Sequence, residues 1–182
     1  MKFGLVRHFK VEPPPLQGWV NGRQFNEWVR LYDAADIRTG EWNQPAELWD
    51  HCLCSDLPRA VDTARSIYSG SITFTEQLRE IEVAAVSVSG PRLPVPWWLA
   101  LGRLSWIFGH RSQPESRRTT SQRVKAAVDL LESVPQRSGV LIVTHGAFMK
   151  QLERELRRRS YQGKRMGHPR NGQLYTYEKI EN

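Results

Sequence analysis

Two histidines and two arginines sit where a 182-residue chain could do chemistry. Phe3-Gly4-Leu5-Val6 is an apolar run the length of one buried strand, and it stops at Arg7-His8. Gly139-Val140-Leu141-Ile142-Val143-Thr144 is the most strand-like run, and it stops at His145-Gly146. In an open α/β sheet, ligands sit outside the carboxyl ends of the strands. Both histidines are therefore expected at that edge, Arg7 adding a fixed positive charge and His8 a nucleophile or proton carrier. Arg59 follows another buried strand, Leu48 through Leu53, in the first turn of a helix. Ser55 or Asp56 can serve as its N-cap, and Pro58 suits the first turn. A helix N-terminus favours anions and opposes a cation by ~0.3–1 kcal/mol. An arginine placed there reads as an anion clamp, or as the partner of a nearby carboxylate.

The elements that must position these groups alternate. Phe25, Trp28, Val29 and Tyr32 predict a helix near 22–35, with those aromatics packing into or against the core. Residues 36–47 read as a loop. Ala60, Val61, Ala64 and Ile67 give the helix after Arg59 its apolar stripe, and Ser71 to Phe74 reads as a strand. After a polar loop, Gln113 to Thr120, the positions Val124, Ala127, Val128 and Leu131 mark a helix stopped by Pro135. A further helix starts at Gly146 or Ala147 and ends in Arg157-Arg158-Arg159, where cations suit the dipole. Leu174 to Tyr177 is a last strand. The pattern predicts an α/β three-layer sandwich with a mostly parallel central sheet and helices on both faces.

Length bounds this to one domain, 1–182, with 91–120 as an insertion or lid. The net charge of +7 and pI near 9.8 favour an anionic partner, whether a phosphorylated small molecule, nucleic acid or a membrane surface. No apolar run reaches the length of a membrane span, so no membrane partner is expected. Cys52 and Cys54 flank Leu53 and share one face of a strand. That is a poor disulfide pair and too few ligands for zinc, so buried free thiols and a cytoplasmic location are expected. Pro91, Pro94 and Pro96 precede Trp97, Trp98, Leu99, Leu101, Leu104, Trp106, Ile107 and Phe108. That stretch is a core helix, a lid or a partner surface, with Gly90 and Gly109 as candidate hinges.

Taken together, Leu5-Val6-Arg7-His8, Ser55-Asp56-Leu57-Pro58-Arg59-Ala60-Val61-Asp62-Thr63-Ala64 and Val143-Thr144-His145-Gly146 resemble the histidine phosphatase superfamily, the phosphoglycerate-mutase-like fold. The middle stretch is close to the family's S-D-L-x-R-A-x-x-T-A. Leu78-Arg79-Glu80-Ile81 is similar to the family segment that carries the proton donor. The resemblance implies a metal-independent phosphomonoesterase without a cofactor. His8 takes the phosphoryl group, and Glu80 is the acid and base with Glu82 as the fallback. Arg7, Arg59, Gly146 and His145 (when protonated) hold the phosphate. A phosphorylated small molecule or a phosphoprotein is the expected substrate. Phe9 stands where the family usually has glycine, Pro13-Pro14-Pro15 occupies the region of a phosphate-holding asparagine, and the Phe-Gly-x-Trp-Glu-Gly continuation after the acid is missing. A mutase and a weakly catalytic phospholigand-binding protein are the alternatives. Trp97, Trp98 and Phe9 are the candidate lid residues, with Trp97 or Trp98 at the pocket mouth and a partly apolar or aromatic ester as substrate. Nucleic-acid binding through Arg157-Arg158-Arg159 and Lys164-Arg165 is the weakest reading, since a solvated helix end explains that run and no nucleic-acid motif accompanies it.

Overall fold

The structure, a computed structural model, describes residues 1–16, 18–42, 49–135 and 139–179. Its elements in chain order are β1 (Lys2–Arg7), β2 (Lys10–Val11), α1 (Gly22–Asp33), β3 (Ile37–Arg38), β4 (His51–Ser55), α2 (Pro58–Ile67), β5 (Ile72–Thr75), α3 (Val95–Ile107), α4 (Arg117–Ser133), β6 (Val140–Thr144), α5 (Gly146–Arg158), β7 (Tyr161–Gln162) and β8 (Leu174–Lys179). Six strands form the main sheet in the order β5-β4-β6-β1-β8-β7. β5, β4, β6 and β1 run parallel; β8 and β7 are antiparallel additions at the other edge.

The alternation of side chains across the sheet builds two cores. Phe3, Leu5, Leu53, Val140 and Ile142 face α4 and α5, meeting Val128, Leu131, Phe148 and Leu152. Val6, Cys52, Cys54, Leu141 and Val143 face the other way, onto Ala60, Ala64 and Ile67 of α2. β6 is a strand because its run of branched residues is buried on both faces, the pattern a central parallel strand requires. Cys52 and Cys54 share a face as buried free thiols, and burial pushes the Cys52 thiol up to about 12. A third core joins Phe25 of α1 to Val20, Val83 and Trp98.

Several local expectations change. Leu57, not Ser55 or Asp56, is the N-cap of α2, with Pro58 in the first turn; the Ser55 hydroxyl is engaged elsewhere. α4 begins at Arg117, inside the stretch read as a loop, because Ser116 caps it by accepting the Thr119 N–H at 3.1 Å. Its exposed first turn carries no apolar periodicity. The loop read over 36–47 contains the short strand β3, and Leu48, where the second strand was placed, lies outside the described residues. Gly109 is no free hinge. It ends α3 at φ +69°, with its own N–H donated to the Trp106 carbonyl and the His110 N–H to that of Ser105, the paired bonds of a Schellman termination. The basic end of α5 is spent internally: Arg157 pairs with Glu153, Arg158 with Glu155, and Arg159 with Asp129, Glu132 and Glu155.

Candidate active site

Parallel pairing brings the chemistry to one edge. Arg7 is in register with Thr144 across β1 and β6, and β4 lies on the far side of β6. His8 and His145 therefore emerge side by side, ring centroids 5.1 Å apart. α2 leaves the end of β4 and carries Arg59, only 2% exposed, in its first turn. α5 leaves the end of β6, and Gly146 opens it. A methyl group at Gly146 would lie 3.2 Å from Arg7 Nε, so the missing side chain is what lets the Arg7 guanidinium rest on the α5 N-terminus.

His8 is buried, and its Nδ1 lies 2.6 Å from the Phe9 carbonyl oxygen. A carbonyl only accepts, so Nδ1 carries the proton and Nε2 keeps its lone pair. Burial, then the charge of Arg59, holds the His8 pKa down to about 3; the ring is neutral and nucleophilic. The loop after it is pinned by Thr63, whose hydroxyl accepts the Phe9 N–H at 2.8 Å and donates to the Arg59 carbonyl at 2.7 Å. Asn171 donates to the His8 carbonyl at 2.7 Å from the other side.

His145 is fully buried, with Nε2 2.8 Å from the Ser55 hydroxyl. Burial and then Arg59 push its pKa well below the usual imidazole range. In this structure it is therefore a neutral hydrogen-bonding group, not the cation that a protonated His145 would be. Glu80 crosses the start of α5: Oε1 accepts the N–H groups of Ile81 at 2.9 Å and Phe148 at 3.0 Å, and Oε2 that of Ala147 at 3.2 Å. His145 provides no side-chain cap, so Glu80 fills that part for orphan donors at the helix end. Arg123 of α4 fixes the loop beneath it, donating to the carbonyls of Gln77 at 3.0 Å and Arg79 at 2.7 Å.

A cavity of about 470 Å3 opens over these groups. Arg7, His8, Arg59, Glu80 and Glu82 line it, and His145 and Gly146 are not among its lining residues. Its apolar wall is Trp28, Val29 and Tyr32 of α1 with Leu57 and Leu99. The helix face read as core packing is thus divided: Phe25 is buried, and Trp28 and Tyr32 line the cavity. The expected lid is also relocated. Trp98 is 2% exposed, stacked on Phe25 and donating its indole N–H to the Val20 carbonyl at 2.9 Å. Trp97 faces solvent, and Phe9 is buried in the second core. None of the three lines the cavity; Leu99 and Arg103 are the α3 side chains that do.

Asp33 was not foreseen. Its Oδ1 accepts from Arg59 Nη1 at 2.8 Å, and the Tyr32 ring lies 5.6 Å from the same guanidinium. Burial raises the Asp33 pKa above the ordinary carboxylate range against the pull of Arg59, and the nearby Glu80 adds to the rise. Ser55, Thr63 and Asn171 were also missed as site-holding residues. For Thr63 and Ser55 the signal was present, since both stand in the stretch that carries Arg59. Among the described residues, five buried side-chain polar atoms have no partner, and three belong to this site: Arg7 Nε, Arg59 Nε and His145 Nδ1. No group of three or more His, Cys, Asp or Glu side chains among the described residues is arranged to hold a metal.

Residues 38–181 match the model of the histidine phosphatase superfamily (branch 1). The fold is similar to that of a phosphoserine phosphatase from Entamoeba histolytica solved with phosphoserine (18% identity, 96% of this chain and 89% of that one, TM-score 0.57). It is similar to a mycobacterial glucosyl-3-phosphoglycerate phosphatase solved with VO3 (16% identity, 96% and 91%, TM-score 0.57). It is also similar to a putative alpha-ribazole-5'-P phosphatase from Escherichia coli (19% identity, 86% and 79%, TM-score 0.54). No curated protein matches the chain significantly.

Proposed function

The chain belongs to the histidine phosphatase superfamily, branch 1, and from that membership we propose that it is a metal-independent phosphomonoesterase working through a phosphohistidine on His8. The observation that carries the reading is the set of unpartnered buried atoms on Arg7, Arg59 and His145. Buried polar groups are normally satisfied, and a phosphoryl group in transfer offers three charged acceptor oxygens. Arg7 and Arg59 supply the cationic donors.

In the reaction, His8 Nε2 attacks phosphorus in line, a P–N bond forms, and the P–O bond to the leaving group breaks. The proton on Nδ1 stays in place, and the Phe9 carbonyl that accepts it stabilises the positive charge that develops on the ring as the P–N bond forms. Glu80 gives the departing oxygen a proton, then takes one from the water that attacks the phosphohistidine. Phosphate leaves and His8 is restored. The substrate is a phosphorylated small molecule, and its organic part rests against Trp28, Tyr32 and Leu99, an apolar and partly aromatic wall.

A second reading, a phospholigand-binding protein with little turnover, is favoured by Asp33, which pairs with Arg59 at 2.8 Å. One experiment separates them. Rapid quenching during turnover of an aryl phosphate should trap phosphate on His8, labile to acid and stable to base, and His8→Ala should abolish both trapping and turnover. Full activity in His8→Ala refutes the mechanism. Stoichiometric phosphate binding with no trapped intermediate favours the second reading.

A further inference from the structure

α3 presents three faces. Trp98, Gly102 and Trp106 recur every four residues and are buried, Trp106 donating its indole N–H to Thr120 at 3.2 Å. Leu99 and Arg103 turn to the cavity. The remaining face holds Trp97, Ala100, Leu104 and Ile107, continued by the C-cap Phe108. It is in solvent: Trp97 is 64% exposed, Leu104 49%, Ile107 44% and Phe108 82%. At ~100° per residue these positions fall within one arc of about 100°. A helix lying on a globular protein normally puts charge on that arc. Here every side chain is apolar, and a contiguous apolar surface of this kind marks an interaction site.

The charge of the stretch that carries α3 identifies the partner. Between Val83 and Ser121 the only carboxylate is Glu115, and Arg123 holds it at 2.8 Å. Arg92, Arg111, Arg117 and Arg118 in the same stretch are exposed. We propose that this face of α3 docks on an anionic lipid surface. Trp97, Leu104, Ile107 and Phe108 enter the boundary between headgroups and acyl chains, and the four arginines meet headgroup phosphates. A second copy of the chain fits less well. A two-fold contact sets the same patch against itself, and with one carboxylate in the stretch against four exposed arginines it brings like charges together. No described helix is long and apolar enough to cross a membrane, and the expectation of no membrane partner rested on that absence alone. A helix lying in the interface needs no span. The face is also preformed: Pro94 and Pro96 set the start of α3 and Gly109 fixes its end, so docking orders little new chain. The docking is independent of the chemistry at His8.

The test is co-sedimentation of the full chain with phosphatidylcholine vesicles and with the same vesicles containing phosphatidylglycerol. Partitioning to the anionic vesicles should be at least ~10-fold stronger and should weaken as salt is raised. The double variants Leu104→Ser with Phe108→Ser, and Arg117→Glu with Arg118→Glu, should each lower it ~10-fold. None of these four residues lines the cavity, so vesicle-free turnover should be unchanged, and a cooperative melt checks that each variant folds. Equal partitioning to both vesicle types, no partitioning, or binding that persists in both double variants overturns the proposal. A dimer in sedimentation velocity that the Leu104→Ser, Phe108→Ser variant dissolves also overturns it, by assigning the face to self-association.

Discussion

Replacing Asp33 by asparagine should tighten phosphate binding. Arg59 is shared between this carboxylate and any phosphate it receives, with Asp33 Oδ1 2.8 Å from Arg59 Nη1. A phosphate on the same guanidinium then lies roughly 5 Å from the Asp33 charge, a repulsion of about 3 kcal/mol at an effective dielectric near 20. The Asp33 side chain is 40% exposed, so solvent and salt reduce this to about 1 kcal/mol, or roughly fivefold in Kd. Asparagine keeps an oxygen for the Arg59 hydrogen bond, so the buried guanidinium is not left without a partner. The pH dependence has a definite sign. Because the Asp33 pKa is raised, acidification neutralises this group earlier than an ordinary carboxylate. Wild type then gains the affinity that Asp33→Asn already has. The wild-type to variant ratio of Kd should be about five at neutral pH and fall towards one in acid; taking the ratio cancels the titration of phosphate itself. Calorimetric titration with inorganic phosphate at several pH values reads this directly. A variant that melts cooperatively yet binds phosphate no more tightly at neutral pH, or a ratio flat with pH, refutes the reasoning.

Glu80→Gln should slow alkyl phosphates far more than activated aryl phosphates in the phosphorylation step, since a good leaving group needs little protonation; equal losses in steady-state kinetics would move the role to Glu82 or to a water. Gly146→Ala puts a methyl group 3.2–3.5 Å from the Arg7 guanidinium, so kcat/KM should fall by about tenfold while thermal stability holds or rises slightly; unchanged kcat/KM would mean the close approach is irrelevant. Trp98→Ala removes a buried indole that stacks on Phe25 and should cost ~3–5 kcal/mol in denaturant unfolding without changing substrate ranking; a loss under ~1 kcal/mol contradicts its place in the core. Turnover should survive a chelator, because Arg7 and Arg59 supply the charge; loss restored by a divalent ion would reject the class of mechanism.

The strand ends were legible because short apolar runs that stop at Arg7-His8 and at Thr144-His145 combine a period with a break in chemistry. The same signals placed Arg59 in the first turn of a helix. Asp33 was not legible: nothing local marks a carboxylate at a helix C-terminus as the partner of an arginine 26 positions on. Trp28 and Tyr32 were read as packing because helical spacing shows that a face is covered but not by what. α3 failed for another reason. It is apolar on nearly every side, so periodicity could not choose between Trp97 and Trp98. The available clue was Gly102, midway between Trp98 and Trp106, where a methyl group would lie 2.2 Å from Val83 Cγ1; the small residue marks the inward face. β2, β3 and β7 span two residues each, too few to show a period of two.

The position of β1 in the sheet bears on how the chain reaches this structure. β1 pairs with β6 and β8, both more than 130 residues further along the chain. At roughly 5–20 residues per second of synthesis, its neighbours follow about 7–30 s later. Until then Phe3, Leu5 and Val6 belong to a strand with no partner on either edge. Contacts this distant in sequence also close slowly once the chain is free. Yield in a cell should therefore respond to temperature and to chaperones that hold extended apolar segments, more steeply than the stability of the finished fold would suggest. A circular permutant opened between β3 and β4 would make β6 and β8 before β1, and so shorten that exposure.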